Sequence, residues 1–456
     1  MDKSEKKLAL VKEFAPMLER STKNSKIFMV FMLLVVLLGI YAAIRQMVDG
    51  QEVTGMRDNV VWGFYGVNFL YILGVSYAAA FISAILHFIK TNWKSSIVRI
   101  VEIVTVLSLM IGPFFIFLCI GRLDRLHYLF MYPRIQSPIT WDVIAITTDL
   151  VVCIVYLYLT FLPDFAILRD HDELKLPKWR KNLYRYLAIG YKDTPQQKAR
   201  LHKITRSMSA MIIMMAITVY TILAWIFSLT LQPGWNSTIF APYFMVAGIY
   251  AGLSVIIVSM YILRRVYHLE DYIKRRHFTI AGYVMMILAL LFGYLTFSEY
   301  FSRWYSNKTY DIQLLNSLFD RYFWYFIFGN YVTVFLPVVV IMIPKLRTIK
   351  LISITAAIAV LGIWINRYLI VVPTLENPYI PIQDNRMEFV YYSPTWVEWA
   401  LIAAGIGAFC LLFTLITKFV PVIPIQELLD GPVQKGKLLP KETWEKMIVK
   451  QKTAES

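Results

Sequence analysis

The chain has 456 residues, 58% hydrophobic and 15% aromatic but only 17% charged, against about 25% charged residues in a soluble domain. Its net charge of +16 does not point to nucleic acid, because the basic residues sit in alternate connections between long apolar blocks, the pattern that orients membrane proteins. The three cysteines, Cys119, Cys153 and Cys410, all lie in apolar runs without a CxxC pair, which leaves no disulfide framework and no zinc or iron–sulfur motif.

A basic segment, residues 1–26, precedes the first apolar run. No small-residue cleavage site follows that run, so it reads as a retained helix. About ten spans are predicted: 27–46, 60–89, 97–121, 138–162, 205–230, 239–263, 278–301, 319–344, 348–371 and 395–419. Each approaches the roughly 20 residues that cross hydrocarbon as a helix, and an alternating barrel pattern is absent. With the N-terminus inside, 36 of the 46 Lys and Arg residues fall on the inner side and 10 on the outer. The segment 164–204 decides this orientation. The expected fold is therefore an all-α integral membrane protein, N-in and C-in. Residues 1–26 form a cytoplasmic tail, 27–420 a transmembrane domain and 421–456 a second cytoplasmic tail. The long outer loop 373–396 is rich in Pro and aromatics; a docking surface and an ordered cap are both open readings.

None of the six histidines forms a helical pair of the kind a membrane cytochrome b uses for its axial ligands, so no haem is expected. Walker A, zinc and nucleophile-elbow motifs are also missing. What stands out is charge near the outer face. An apolar helix runs into the hairpin 122–137, with Arg122, Asp124, Arg125, His127 and Arg134. The next span carries Asp142 about one turn in and Asp149 two turns deeper, on one helical face. Glu299 ends the seventh span and Arg367 lies near the outer end of the ninth. Intramembrane charge is costly and usually functional. Arg122 and Glu299 also admit an interfacial snorkelling reading, and Asp149 a structural contact between helices. Glu102, near the inner end of the third span, is expected to pair with Arg99. The cluster suits a proton-coupled quinone site or an anion pathway in a transporter.

Residues 54–87 (TGMRDNVVWGFYGVNFLYILGVSYAAAFISAILH), 120–150 (IGRLDRLHYLFMYPRIQSPITWDVIAITTDL) and 161–170 (FLPDFAILRD) resemble the NrfD/polysulfide reductase membrane-subunit family. So do 183–194, 233–256, EYFSRWY (299–305) and INRYLIVVPTL (365–375). Within that family the likeness is to the ten-helix membrane subunits of bacterial alternative complex III, over about residues 54 to 420. The resemblance implies two four-helix bundles with flanking helices in the cytoplasmic membrane, without haem or iron–sulfur cluster in this chain. It implies a menaquinol-type quinone bound near the outer face, beside an extracytoplasmic ferredoxin-like iron–sulfur subunit and a molybdopterin-type subunit. A paralogous membrane subunit and cytochrome c subunits are further partners of that kind of complex. Arg122, His127, Asp142 and Arg367 become the expected head-group shell, and Asp149 and Glu299 the expected proton-transfer groups. Tyr77 stands where the family has a histidine. Cys119 and Leu123 replace the His and Pro of an HLGRP-like end, while Tyr220 and Ile226 align with a further His and Asp. These departures support the alternative of a non-catalytic anchor or assembly subunit. A proton-coupled transporter is the third reading.

Overall fold

The computed structural model describes residues 7, 9–14, 18, 22–88, 96–121, 123–170, 176–230, 232–379 and 391–430. Ten helices among them are long and apolar enough to cross a membrane. They are α1 Lys23–Asp49, α2 Gly63–Phe88, α3 Val98–Cys119, α4 Pro138–Asp170 and α5 Pro195–Ser228. There follow α6 Phe240–Val266, α7 Arg275–Ser306, α8 Phe323–Met342, α9 Ile349–Glu376 and α10 Trp396–Phe419. The chain is a multi-pass, all-α integral membrane protein.

Two of these helices, α4 and α5, run well past their apolar blocks on the inner side, and α7 by less than a turn. The polar stretch before residue 205 stays helical because Thr194 accepts a hydrogen bond from the Gln197 N–H, with Pro195 at the first helical position. α4 likewise continues to Asp170, and α7 starts at Arg275. Within the bilayer helical backbone bonds are mandatory; beyond it they persist where a cap supplies the missing partner.

α2–α5 form one bundle and α6–α9 a second. α2 joins them, packing against α6 and α9 as well as α3 and α5. α1 and α10 lie alongside each other outside the bundles, with α10 also against α3. Close approach of α1 and α10 depends on Gly39, where a Cβ would collide with Ala404, and on Gly407, where it would stand 3.2 Å from Val35.

Two buried arginines fasten the inner face. Arg99 pairs with Asp164 at 2.6 Å and donates to the Thr160 carbonyl, with its guanidinium over the Phe161 ring. This corrects the Arg99–Glu102 pairing expected from sequence. Glu102 instead accepts from the Thr160 hydroxyl at 2.9 Å, with His87 3.9 Å away. Residues 99 and 102 both face α4, and Asp164, one turn beyond Thr160, is the carboxylate that Arg99 meets there. Arg180, on the short helix Lys178–Leu187, donates to the carbonyls of Leu18 and Lys418 and to the Tyr184 hydroxyl. Leu10, Val11, Phe14 and Leu18 are buried, so this part of the N-terminal segment packs beneath the bundle. Residues 431–456, expected as an inner tail, lie outside the described residues.

Candidate functional site

The hairpin that follows α3 roofs a cavity of about 610 Å³ between α2, α3, α4 and α5. Such a volume is within the roughly 300–1,000 Å³ of small-molecule sites. Its walls are mainly apolar: Trp62, Phe69, Ile116, Ile146, Leu223 and Phe227 among them. The roof is built from Leu126, Tyr128, Leu129 and Phe130, with Arg125 and Arg134 at its edges. Trp62 stacks on Trp235 (centroids 5.9 Å, planes 7° apart) and meets Phe227 edge-on at 5.7 Å. The Trp235 N–H donates to the Ile370 carbonyl at 2.8 Å, so the aromatic wall is fixed from the second bundle. Cys119 and Ile226 also line this cavity.

Asp142 enters the cavity from α4. It is buried, and among the described residues its Oδ1 has no hydrogen-bond partner. Burying a polar atom without a partner is unfavourable, so this oxygen is suited to a ligand's donor. Asp149 lies two turns deeper, only 1% exposed, with Oδ1 facing the Cys153 thiol at 3.6 Å and Oδ2 unpartnered. Tyr77 on α2 is within electrostatic reach of both carboxyls, and its hydroxyl also lacks a partner. Its ring meets Tyr220 of α5 edge-on at 5.5 Å. The Tyr220 hydroxyl occupies a slot between Gly74 and Gly248, where a Cβ on Gly248 would strike it. It points toward Arg367 without reaching hydrogen-bond geometry.

Other residues expected in one cluster are placed elsewhere. Arg367 is buried between the bundles: it donates to the Phe244 carbonyl at 2.8 Å, lies over the Phe244 ring, and leaves one guanidinium nitrogen unpartnered. Its neighbour Asn366 donates to Asn330 at 3.0 Å and to the Tyr243 hydroxyl. Asn330 lies in a π-helical segment, Ile327–Val332, that interrupts α8; such segments are frequent at functional sites. Glu299 is buried, ion-paired with Arg303 and bonded to the Ser237 hydroxyl at 2.6 Å. Arg303 in turn donates to the Gly234 carbonyl, so this group ties α7 to the loop before α6. His127 is exposed on the hairpin and does not line the cavity. Arg122 lies outside the described residues. The structure therefore puts Asp142 at the cavity, with Asp149 and Tyr77 near it but outside the lining, and puts Glu299 and Arg367 in the second bundle. The aromatic wall was missed from sequence, because Trp and Phe at span ends look the same as an interfacial belt.

The sequence profile described as "Polysulphide reductase, NrfD" matches residues 52–377. The chain is 21% identical over 419 residues to a selenate reductase subunit of Mesobacillus selenatarsenatis, covering 88% of this chain and 95% of that protein. It is 21% identical over 408 residues to the Hdr-like menaquinol oxidoreductase integral membrane subunit of Archaeoglobus fulgidus (85% and 91% covered). A shorter match, 29% over 89 residues, is to the integral membrane subunit of menaquinone reductase from Nitratidesulfovibrio vulgaris, covering 19% of this chain and 20% of that protein.

Proposed function

Starting from the chain's membership of the polysulphide reductase NrfD family, we propose that it is the quinone-interacting membrane subunit of a respiratory oxidoreductase. A menaquinol-type quinone binds in the cavity beneath the 123–137 hairpin and exchanges electrons with an extracytoplasmic iron–sulfur partner. The terminal chemistry belongs to a molybdopterin-type partner, and a paralogous membrane protein and cytochrome c complete the assembly. The observation that carries this reading is an apolar cavity of about 610 Å³ bordered by Asp142, whose carboxyl oxygen Oδ1 has no hydrogen-bond partner among the described residues. The apolar walls suit a ring and isoprenoid tail, and Asp142 suits a quinol hydroxyl. Oxidation of a quinol breaks two O–H bonds and releases two electrons. The two electrons leave to the partner's cluster, and Asp142 is the group placed to accept the first proton and, once it has passed that proton on, the second, general-base work of the usual kind. Asp149 and Tyr77 stand next inward to relay it. Arg367 acts on the site through Tyr220 instead of touching the head group, and Glu299 holds the outer ends of the second bundle.

The test is quinol oxidation by the purified complex together with binding of a quinone analogue. Val143→Trp, which fills the cavity, is expected to abolish analogue binding while yield and thermal unfolding stay unchanged. Unaltered oxidation in both Val143→Trp and Asp142→Asn would sink the assignment. That result would favour the second reading, a non-catalytic anchor and assembly subunit, whose motivation is the tyrosines at positions 77 and 220 where the resembling family has histidines.

A further inference from the structure

α5 leaves the apolar layer on the inner side without a break. Below Met208 its exposed side chains include His202, Lys203, Arg206 and Ser207. With Ala199 and Ala210 they line a surface groove of about 430 Å³. Lys198 on the same helix is neutralised by Asp193 at 3.1 Å. Among the described residues, by contrast, no acidic side chain lies within ion-pair distance of His202, Lys203 or Arg206. Lys203 and Arg206 thus face one groove with no acidic partner among the described residues, and His202 lies beside them.

Above the groove the same helical face continues. Lys203, Ser207, Ala210, Met214 and Ile217 recur at steps of four and three, which keeps them on one stripe. Met214 is 72% exposed and Ile217 46%, so the stripe passes from cation to hydroxyl to apolar side chain along one face left exposed by the described residues. Arg206 and Met214 are separated by about 12 Å along the axis, the distance from a phosphate layer into the acyl region. The inner interface is marked independently by the amphipathic helix Lys178–Leu187, whose Trp179 and Tyr186 are 59% and 79% exposed. Such aromatics belong at the head-group level.

We propose that this groove binds an anionic phospholipid of the inner leaflet. Lys203, Arg206 and the Ser207 hydroxyl hold the phosphate, His202 flanks it, and an acyl chain lies along Ala210, Met214 and Ile217. Basic pockets against transmembrane helices on the cytoplasmic side take such head groups. A zwitterionic lipid brings its own ammonium and leaves the cations uncompensated; free phosphate satisfies the cations and leaves the apolar stripe unused.

The test is native mass spectrometry and thermal unfolding of the purified full chain. The protein is first exchanged into zwitterionic detergent and lipid, then titrated with phosphatidylglycerol. The expected result is a resolved bound lipid and an upward Tm shift. Lys203→Ala/Arg206→Ala should weaken binding roughly tenfold or more, whereas Lys345→Ala/Lys350→Ala, equal in charge change on the same side, should not. Met214→Ser should weaken phosphatidylglycerol but not inorganic phosphate. The swap Lys203→Arg/Arg206→Lys should keep binding, which separates charge from misfolding. Three results would overturn the proposal: equal loss in both alanine pairs, equal binding of phosphatidylcholine, or full displacement of the lipid by inorganic phosphate.

Discussion

Asp142 and Asp149 share the buried face of α4, yet only Asp142 borders the cavity. The two substitutions therefore separate the roles. Asp142→Asn keeps the shape and removes the proton acceptor, so quinol oxidation should fall by roughly 10²-fold or more with Tm unchanged. Asp149→Asn should slow turnover while leaving affinity for a quinone analogue intact. Arg367 gives a sharper contrast. Among the described residues its buried guanidinium has no carboxylate partner, and such a charge is a net burden on stability, so Arg367→Met should hold or raise Tm while turnover falls; a lowered Tm with normal turnover would mark it as purely structural. The carboxylates were legible in sequence because charge inside an apolar run is conspicuous. The choice of Asp164 over Glu102 as the partner of Arg99 was not, because it depends on how α3 and α4 face each other. Nor was the split between the Asp142 group and Glu299, since depth in the membrane can be counted from span ends but lateral position cannot.

At the scale of elements, the outer start of α10 is held by one side chain. Glu398 closes the capping box with Thr395 and also accepts from the Gly55 N–H at 2.8 Å and the Tyr392 hydroxyl. Tyr392 meanwhile accepts from the Phe64 N–H at 2.8 Å, at the start of α2. Burial, reinforced by the negative charge of Glu398, pushes the Tyr392 hydroxyl well above the usual phenol range, so it stays a donor at any working pH. Glu398→Ala orphans three donors at once and should cost about 3 kcal/mol or more, read as a lowered Tm with loosened protection of residues 51–57 in hydrogen exchange. Gly248→Ala should act differently. The added methyl strikes the Tyr220 hydroxyl and displaces the ring that backs Tyr77, so turnover should suffer more than stability. The ten spans were readable to within a turn or two on the outer side, since hydrocarbon thickness sets them. Their inner extensions were missed because a capped polar helix has no hydrophobic signal. The π-helical segment of α8 had none either.

For the whole molecule, the inner face depends on a few buried ionic fastenings that join distant parts of the chain. Asp164 pairs with Arg99 and also accepts from the Gln426 N–H at 3.3 Å, tying α4 to α3 and to the segment after α10. Asp164→Asn leaves a buried cation uncompensated and should cost about 3–5 kcal/mol. The double change Arg99→Met/Asp164→Leu should recover much of that in Tm, because it removes both charges together. The two-bundle plan with flanking helices was legible only through the family resemblance; composition and orientation counting supplied ten helices and their sides but no neighbours.

The pairing of α1 with α10 has a consequence in time. α1 buries only Gly39, Ala42 and Gln46, and its main partner begins about 350 residues later. At roughly 5–20 residues per second, the ribosome needs roughly 20–70 s to make that intervening chain. Throughout that interval α1 waits in the bilayer with its small-residue face against lipid or an insertion factor. A chain stopped at residue 395 should leave α1 open to crosslinking from position 39, and the full-length chain should protect it.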